Sequence, residues 1–306
     1  MHNGAALYAR DAGKAANADD AAKLDGLAPQ AYIQTQDGIL DNGDFRKGKI
    51  VNQKAQDSYK MNGYTIDRFI FYSDAGKHTL TIIDDGIVLS SGGTSNPWIR
   101  QISEDTFTIG NMYTYTVQAK ASVAGNIIGL KVSNTDNYAQ GIIKWFESTT
   151  DFQNFSYTFS MPYKHAAFEL IGSINGDITA SRLKLEPGNR FTGWPVWNYA
   201  LELAKCQRHQ IYISGSFKCS TTAGGDFIDV AIPVPTTMRT TPICQSPSLS
   251  YIYHDGNSYE ASNFTYNRIF DNGDHTNFNV RFACATKLNG KKTGSANLEV
   301  ILNANL

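Results

Sequence analysis

The sequence is short of charge, short of cysteine and without a long apolar run. Charged residues are 18% of its 306 positions, below the usual quarter. The formal net charge is −1 and no long basic run occurs, so a phosphate backbone has no electrostatic foothold and nucleic acid is excluded as a partner. Four cysteines (Cys206, Cys219, Cys244 and Cys284) are too few and too scattered for a disulfide scaffold, and are expected as buried free thiols. There is no CxxC pair and no clustering of the six histidines, so neither a metal site nor a cofactor is expected. The opening MHNGAALYARDAGKAANADD has no apolar core of signal-peptide length, and no later run could span a bilayer. The expectation is synthesis in a cytoplasm, exit by another route if at all, and no membrane insertion. G-x-S-x-G, H-E-x-x-H and glycine-rich phosphate loops are also missing, which argues against an enzyme.

What is abundant is Tyr, Phe, Asn, Thr, Ser and Gly, a mixture that suits short strands and polar turns. Residues 1–37 stand apart, rich in Ala and Asp, with a helical or linker pattern around Leu24, Leu27, Ala31 and Tyr32 that copies of the chain could support by packing. From Leu40 onward strand patterns take over. They cover His78–Ile83, Ile87–Ser90, Trp98–Ile102, Tyr113–Ala121, Ile127–Ser133, Asn154–Ser160, His165–Gly172 and Ile178–Leu185. Tyr113, Tyr115, Val117 and Ala119 alternate with polar residues, the signature of a half-buried strand. Trp197–His209 predicts a helix, with Ala200, Leu203, Ala204 and Gln207 on one face and Glu202 three before Lys205. Strands resume at Ile211–Phe217, Phe227–Ile232, Ile243–Tyr253, Asn263–Ile269, Asn277–Thr286 and Asn297–Leu302. The fold class is therefore all-β: two consecutive antiparallel, jelly-roll-like sandwiches joined by a short helix. Residues 38–196 form the first, 197–209 the connector and 210–306 the second.

Four stretches carry a family resemblance. KLEPGNRFTGWPVWNYALELAKCQRH (Lys184–His209), DNGDFRKGKIVNQ (Asp41–Gln53), GYTIDRF (Gly63–Phe69) and PVPTTMRTTPI (Pro233–Ile243) occur in the order seen in the C-terminal regions of bacteriophage and prophage tail fibres, which the chain resembles from about Leu40 onward. Gly43, Lys54-Ala55, Phe69 and the inserted Thr236-Thr237 depart from that pattern. The resemblance implies sandwiches like carbohydrate-binding modules, a homotrimer, and attachment to bacterial surface glycans in a virion tail fibre. It also implies fibre partners through the N-terminus. A structural spacer or adaptor, and a prophage-derived adhesive fibre on a bacterial surface, are the alternatives; a polysaccharide depolymerase ranks below them.

Sugar binding needs flat aromatic faces beside polar groups. Trp98 follows SGGTSNP, and Trp145 follows a polar loop with Asn134, Asp136, Asn137 and Tyr138; filling the core is the alternative for both tryptophans. Trp194 and Trp197 flank Pro195 and read as interface packing, and Asp67-Arg68 as structural. In Ser250–Asn279, Tyr253, His254, Tyr259, Tyr266, Asp271 and His275 form the segment richest in recognition chemistry, although ordinary hairpins account for the same composition. Asp84-Asp85 and Glu104-Asp105 are neighbours in sequence, a spacing expected of turns and not of a glycosidase pair.

Overall fold

The computed structural model describes residues 38–304, except 223–224, 239, 255–256, 261–263, 272–276 and 286–292. The predicted N-terminal linker (1–37) lies outside the described residues. The architecture is all-β with one short helix. Two six-stranded antiparallel sheets make a sandwich, and a seven-stranded antiparallel sheet follows.

The first sheet runs in the order β1 (Ser58–Tyr59), β4 (Thr79–Ile83), β5 (Gly86–Ser90), β12 (Ile178–Pro187), β7 (Met112–Ala121) and β10 (Gln153–Ser160). The second runs β2 (Gly63–Tyr64), β3 (Ile70–Tyr72), β6 (Trp98–Ile102), β11 (Ala166–Ile171), β8 (Ile127–Asn134) and β9 (Gly141–Glu147). Neighbours in space are mostly distant in sequence, as in a jelly roll. Inward side chains include Leu80, Ile87, Leu89, Tyr115 and Val117 from one sheet and Phe71, Ile99, Ile128, Leu130 and Phe168 from the other, all fully buried. Phe168 meets Tyr115 and Phe107 edge-on at 5.7 Å, the arrangement that ring quadrupoles favour.

The alternation predicted for β7 is present, but its threonines are buried as well. Thr114 and Thr116 pair their hydroxyls with Thr158 and Ser156 across the ladder to β10, at 3.0 and 2.9 Å. Cross-strand hydroxyl pairs of this kind satisfy polar groups that would otherwise be costly to bury. Asp84-Asp85 forms the two-residue turn between β4 and β5.

The connecting helix, α1, spans Tyr199–Gln207 and is capped by Asn198, whose side chain accepts the Leu201 N–H at 3.2 Å. Its buried face differs from the one predicted. Ala200 and Ala204 are exposed, while Glu202, Cys206 and His209 are buried. The reason is that the sandwich offers α1 an unpaired donor, not a greasy groove: Glu202 Oε2 accepts the Asn42 N–H at 2.7 Å, and its Oε1 pairs with Lys205 at 2.7 Å. Hydrophobic periodicity cannot find a face built on polar contacts.

Around this joint the conspicuous motifs converge. Asn42, fully buried, donates to Val51 O and Asp67 O and accepts the Val51 N–H. Gln53 holds the Asp67 carboxylate through backbone and side chain, and also donates to Gln210 O at 2.8 Å. Burial pushes the Asp67 carboxyl up to about 6, against the pull of Gln53 and Lys54. Arg68 is buried against Asp41 and Glu104. His209 Nδ1 lies 2.5 Å from Glu104 Oε1. Burial above all, with Arg68 nearby, lowers the histidine below its ordinary value although Glu104 pulls the other way. Glu186 of the LEPG stretch is buried against Lys184 and Thr192, which folds the following loop back. Trp194 and Trp197 line a small cavity beside Leu183, Leu201 and Glu202, and Trp194 meets Phe191 at 4.9 Å.

The second block is a single sheet in the order β16 (Asn257–Glu260), β15 (Ile243–His254), β19 (Thr293–Asn303), β13 (Gln210–Thr221), β14 (Phe227–Pro233), β18 (Asn277–Cys284) and β17 (Phe264–Asp271). It folds over so that β15 and β17 come into contact, giving a sandwich-like core of Ile228, Val230, Phe278, Val280, Phe282, Leu298 and Val300. All four cysteines are free thiols: Cys206 and Cys219 are buried, Cys244 and Cys284 partly so. Burial pushes Cys244 and Cys284 up to about 11.

Candidate functional site: an aromatic and charged sheet face

The outward face of the second sheet follows from its register, because residues paired across a ladder share a face. One row crosses five strands: Tyr72 pairs with Trp98, Trp98 with Ile171, Ile171 with Gly129, and Gly129 with Trp145. At the usual strand spacing this row is about 19 Å long. The next row is Ile70, Arg100, Glu169, Lys131 and Ile143. A third sets Ile102, Ala167, Ser133 and Gly141 side by side.

At one end of the first row Trp98 lies parallel to Tyr72, with centroids 5.1 Å apart and planes 5° from each other. The Arg100 guanidinium sits 4.4 Å from the Trp98 centroid and 3.9 Å from that of Tyr138. Tyr72 and Trp98 are thus stacked, and cation–π attraction holds the arginine against Trp98 and Tyr138. Trp98 is neither a core filler nor an unoccupied platform; it is the middle of this stack.

Trp145 has a different setting. It is 41% exposed and lies flat across the neighbouring strand. A methyl group added at Gly129 would meet its six-membered ring at 2.7 to 3.1 Å. Glycine at that position lets the indole rest on bare backbone with its other face toward solvent. Lys131 repeats the device in the opposite direction: its stem crosses Gly141, where an added methyl would lie 2.8 Å from Lys131 Cε. Ile127 and Ile143, 40% and 37% exposed, flank the indole.

Between these ends the charged row is tied down. Glu169 is 3% exposed and takes Arg100 Nη2 at 3.0 Å, Lys131 Nζ at 3.3 Å, and a short hydrogen bond from Ser133. A buried carboxylate so surrounded is compensated on every side, which fixes the rotamers of both cations. The loop between β8 and β9 folds back over it, and Tyr138 O accepts from Lys131 Nζ at 3.0 Å.

Among the candidate residues, Trp98, Tyr138 and Trp145 are therefore brought onto one face. Asn134 is committed locally, its side chain accepting the Asp136 N–H at 3.0 Å within the turn. Tyr266 sits on β17, half-buried, edge-on to Phe282 at 6.2 Å, and its hydroxyl bonds to Cys244. Tyr253, His254, Tyr259 and Asp271 occupy strand positions: Tyr253 opposite Ser258, His254 opposite Asn257, Tyr259 opposite Ile252 and Asp271 opposite Phe278. Their side chains, and His275 as a whole, lie outside the described residues. Tyr72, Arg100, Lys131, Glu169 and Gly129 escaped the sequence reading. The strand Gly141–Glu147 is not among the strands predicted from sequence, because GIIKWFE is apolar on both faces and lacks clear alternation, with Ile142 and Phe146 inward and Ile143 and Trp145 outward. The outward Ile-x-Trp pair was the available signal. Among the described residues no group of three or more His, Cys, Asp or Glu could hold a metal, and no helix is long and apolar enough to cross a membrane.

The fold of residues 38–196 is that of a two-sheet antiparallel sandwich, set by the strand order and register above. No family model matches the chain, and no curated protein matches its sequence. Among solved structures, it is similar to a family 4 carbohydrate-binding module at 19% identity and a TM-score of 0.35, covering 48% of this chain and 99% of that one. A family 29 carbohydrate-binding module from Piromyces equi aligns at 13% identity and 0.31, over 42% of this chain and 91% of that one. The enzymatically active domain of bacteriophage CBA120 tailspike protein 4 aligns at 14% identity and 0.31, over 49% of this chain and 21% of that one.

Proposed function

We propose that the chain is a non-catalytic glycan-binding protein of the phage tail-fibre type, which attaches to the surface glycans of a bacterium. The observation that carries this is Trp145, laid flat on Gly129 in one row with Trp98 and Tyr72, with fixed polar groups one row away. An indole held this way offers its open face to the C–H side of a pyranose, while the neighbouring cations and loop offer hydrogen bonds to its hydroxyls. The ordered tail-fibre-like motifs support the virion setting, and a homotrimer would raise the affinity of a weak single site by avidity. A prophage-derived fibre on a bacterial surface uses the same chemistry. The carboxylate pairs weighed for glycoside hydrolysis have other work: Asp84-Asp85 makes a hairpin turn, and Glu104 is engaged by Arg68 and His209.

The test is a glycan array and whole-cell binding with the purified chain, beside Trp145→Ala. Binding that falls at least tenfold in the variant, with melting unchanged, is the expected result, since a central aromatic anchor dominates such surfaces. No binding to any glycan or cell would favour a structural spacer.

A further inference from the structure

The charged row carries information about the ligand beyond glycan binding. Two cations, Arg100 and Lys131, share the one buried carboxylate of Glu169. The other charge that the register places on this face, Glu147, sits at the far end of β9 beside Ile127, beyond Trp145. Glu169 is 3% exposed, Arg100 11% and Lys131 20%, so Lys131 meets an incoming molecule first, with Arg100 beneath Tyr138 and the anion deepest. Neither has its donors fully used. Lys131 has three, and Tyr138 O and Glu169 are its acceptors among the described residues. Arg100 Nε is buried without a hydrogen-bond partner. A buried donor without a partner costs stability until it meets an acceptor. Both donors adjoin the row that ends in the Trp145 platform.

We propose that the glycan taken by this face carries a carboxylate, as a uronic acid does, seated over Lys131 and Arg100 while a neighbouring ring stacks on Trp145. The proposal rests on the glycan-binding reading above and names its ligand class. A carboxylate supplies acceptors to a lysine point charge and to the arginine fork behind it, the geometry in which charge-assisted hydrogen bonds are strongest. Tyr138 covers Arg100 from the turn between β8 and β9, so tilting that ring opens the guanidinium without moving the sheet.

The experiment measures binding of the full chain to polygalacturonate, alginate and hyaluronan, each beside its methyl-esterified form, at low and high salt. At least one acid is expected to bind about tenfold or more tightly than its ester, as a hydrogen bond to a charged group predicts. Lys131→Met is expected to reduce that preference severalfold, Arg100 remaining, and Trp145→Ala to weaken both. Equal binding of acid and ester by the wild type overturns the acidic ligand and leaves the glycan reading standing. Binding of none of these polymers by a chain that still binds host cells or another glycan overturns the acidic ligand and leaves the glycan reading standing; binding of no glycan and no cell overturns both. Dextran sulfate bound as tightly as the acids, and indifferent to Trp145→Ala, would show charge attraction alone and also overturn the proposal. If Lys131→Met does not fold, the wild-type ratio of acid to ester decides.

Discussion

The joint between the two blocks and the outward face of the second sheet use the same residue types to opposite ends. At the joint, Asn42, Gln53, Asp67 and Glu202 bond to one another's backbone and side chains across segments far apart in sequence. On the sheet face, Trp145 keeps one side open and Lys131 and Arg100 keep donors in reserve. The joint turns its polar groups inward, away from solvent, whereas the face keeps an exposed ring beside its charged row, the combination a ligand site needs. Of the four stretches that resemble tail fibres, Asp41–Gln53, Gly63–Phe69 and Lys184–His209 supply the residues of the joint (Asn42, Gln53, Asp67 and Glu202), while Trp98, Arg100, Lys131, Tyr138, Trp145 and Glu169 of the face lie outside all four.

The largest effects should come from breaking the joint. Asn42→Ala leaves the Val51 N–H and two carbonyls without partners and should cost about 3 kcal/mol, read by denaturant unfolding, with glycan binding of the folded fraction unchanged. Loss of binding in proportion to stability would mean that the two regions are not separable.

Acidity gives an effect of similar size with an unusual sign. The folded Asp67 carboxyl is raised to about 6 from the ordinary 3.8, so between those values the folded state holds a proton that the unfolded state has released. Its contribution is therefore fully present below about pH 3.8 and is lost as pH rises through about 6, amounting to about 3 kcal/mol. Relative to Asp67→Asn, the wild type should lose melting temperature from pH 4 to pH 7. A difference between the two that stays constant over that range would show that Asp67 is not desolvated in the joint.

A smaller and more selective change probes the face. Gly129→Val places a branched side chain where the indole now rests and should lift Trp145 off the strand. Glycan binding should fall about tenfold, with indole fluorescence altered and little loss of stability. Unaltered binding would mean that the flat seat of Trp145 is incidental.

Much of the fold was legible and less of the site. Strands such as Thr79–Ile83 and Phe227–Pro233 announce themselves because one face is apolar and the neighbouring turns are rich in Gly, Asn and Asp. The helix was legible in extent, but its buried face was not, since it is centred on Glu202, which docks through hydrogen bonds and charge, with Cys206 buried on the same face. Trp98, Tyr138 and Trp145 could be picked out as sugar-binding types, yet their meeting on one face depends on a register across five strands distant in sequence. Gly129 gave no sign, because its role is to be absent beneath a ring sixteen positions away. The tyrosine-rich segment Ser250–Asn279 remains the rival location for recognition, on composition.

The most direct measurement sets these two locations against each other. Binding of the full chain to host cells or purified surface glycan should be compared for wild type, Trp145→Ala, and the double variant Tyr253→Ala, Tyr259→Ala. The sheet-face account predicts that Trp145→Ala loses at least tenfold in affinity while the double variant stays within about twofold of wild type. The reverse order, binding lost in the double variant and retained in Trp145→Ala, would contradict it.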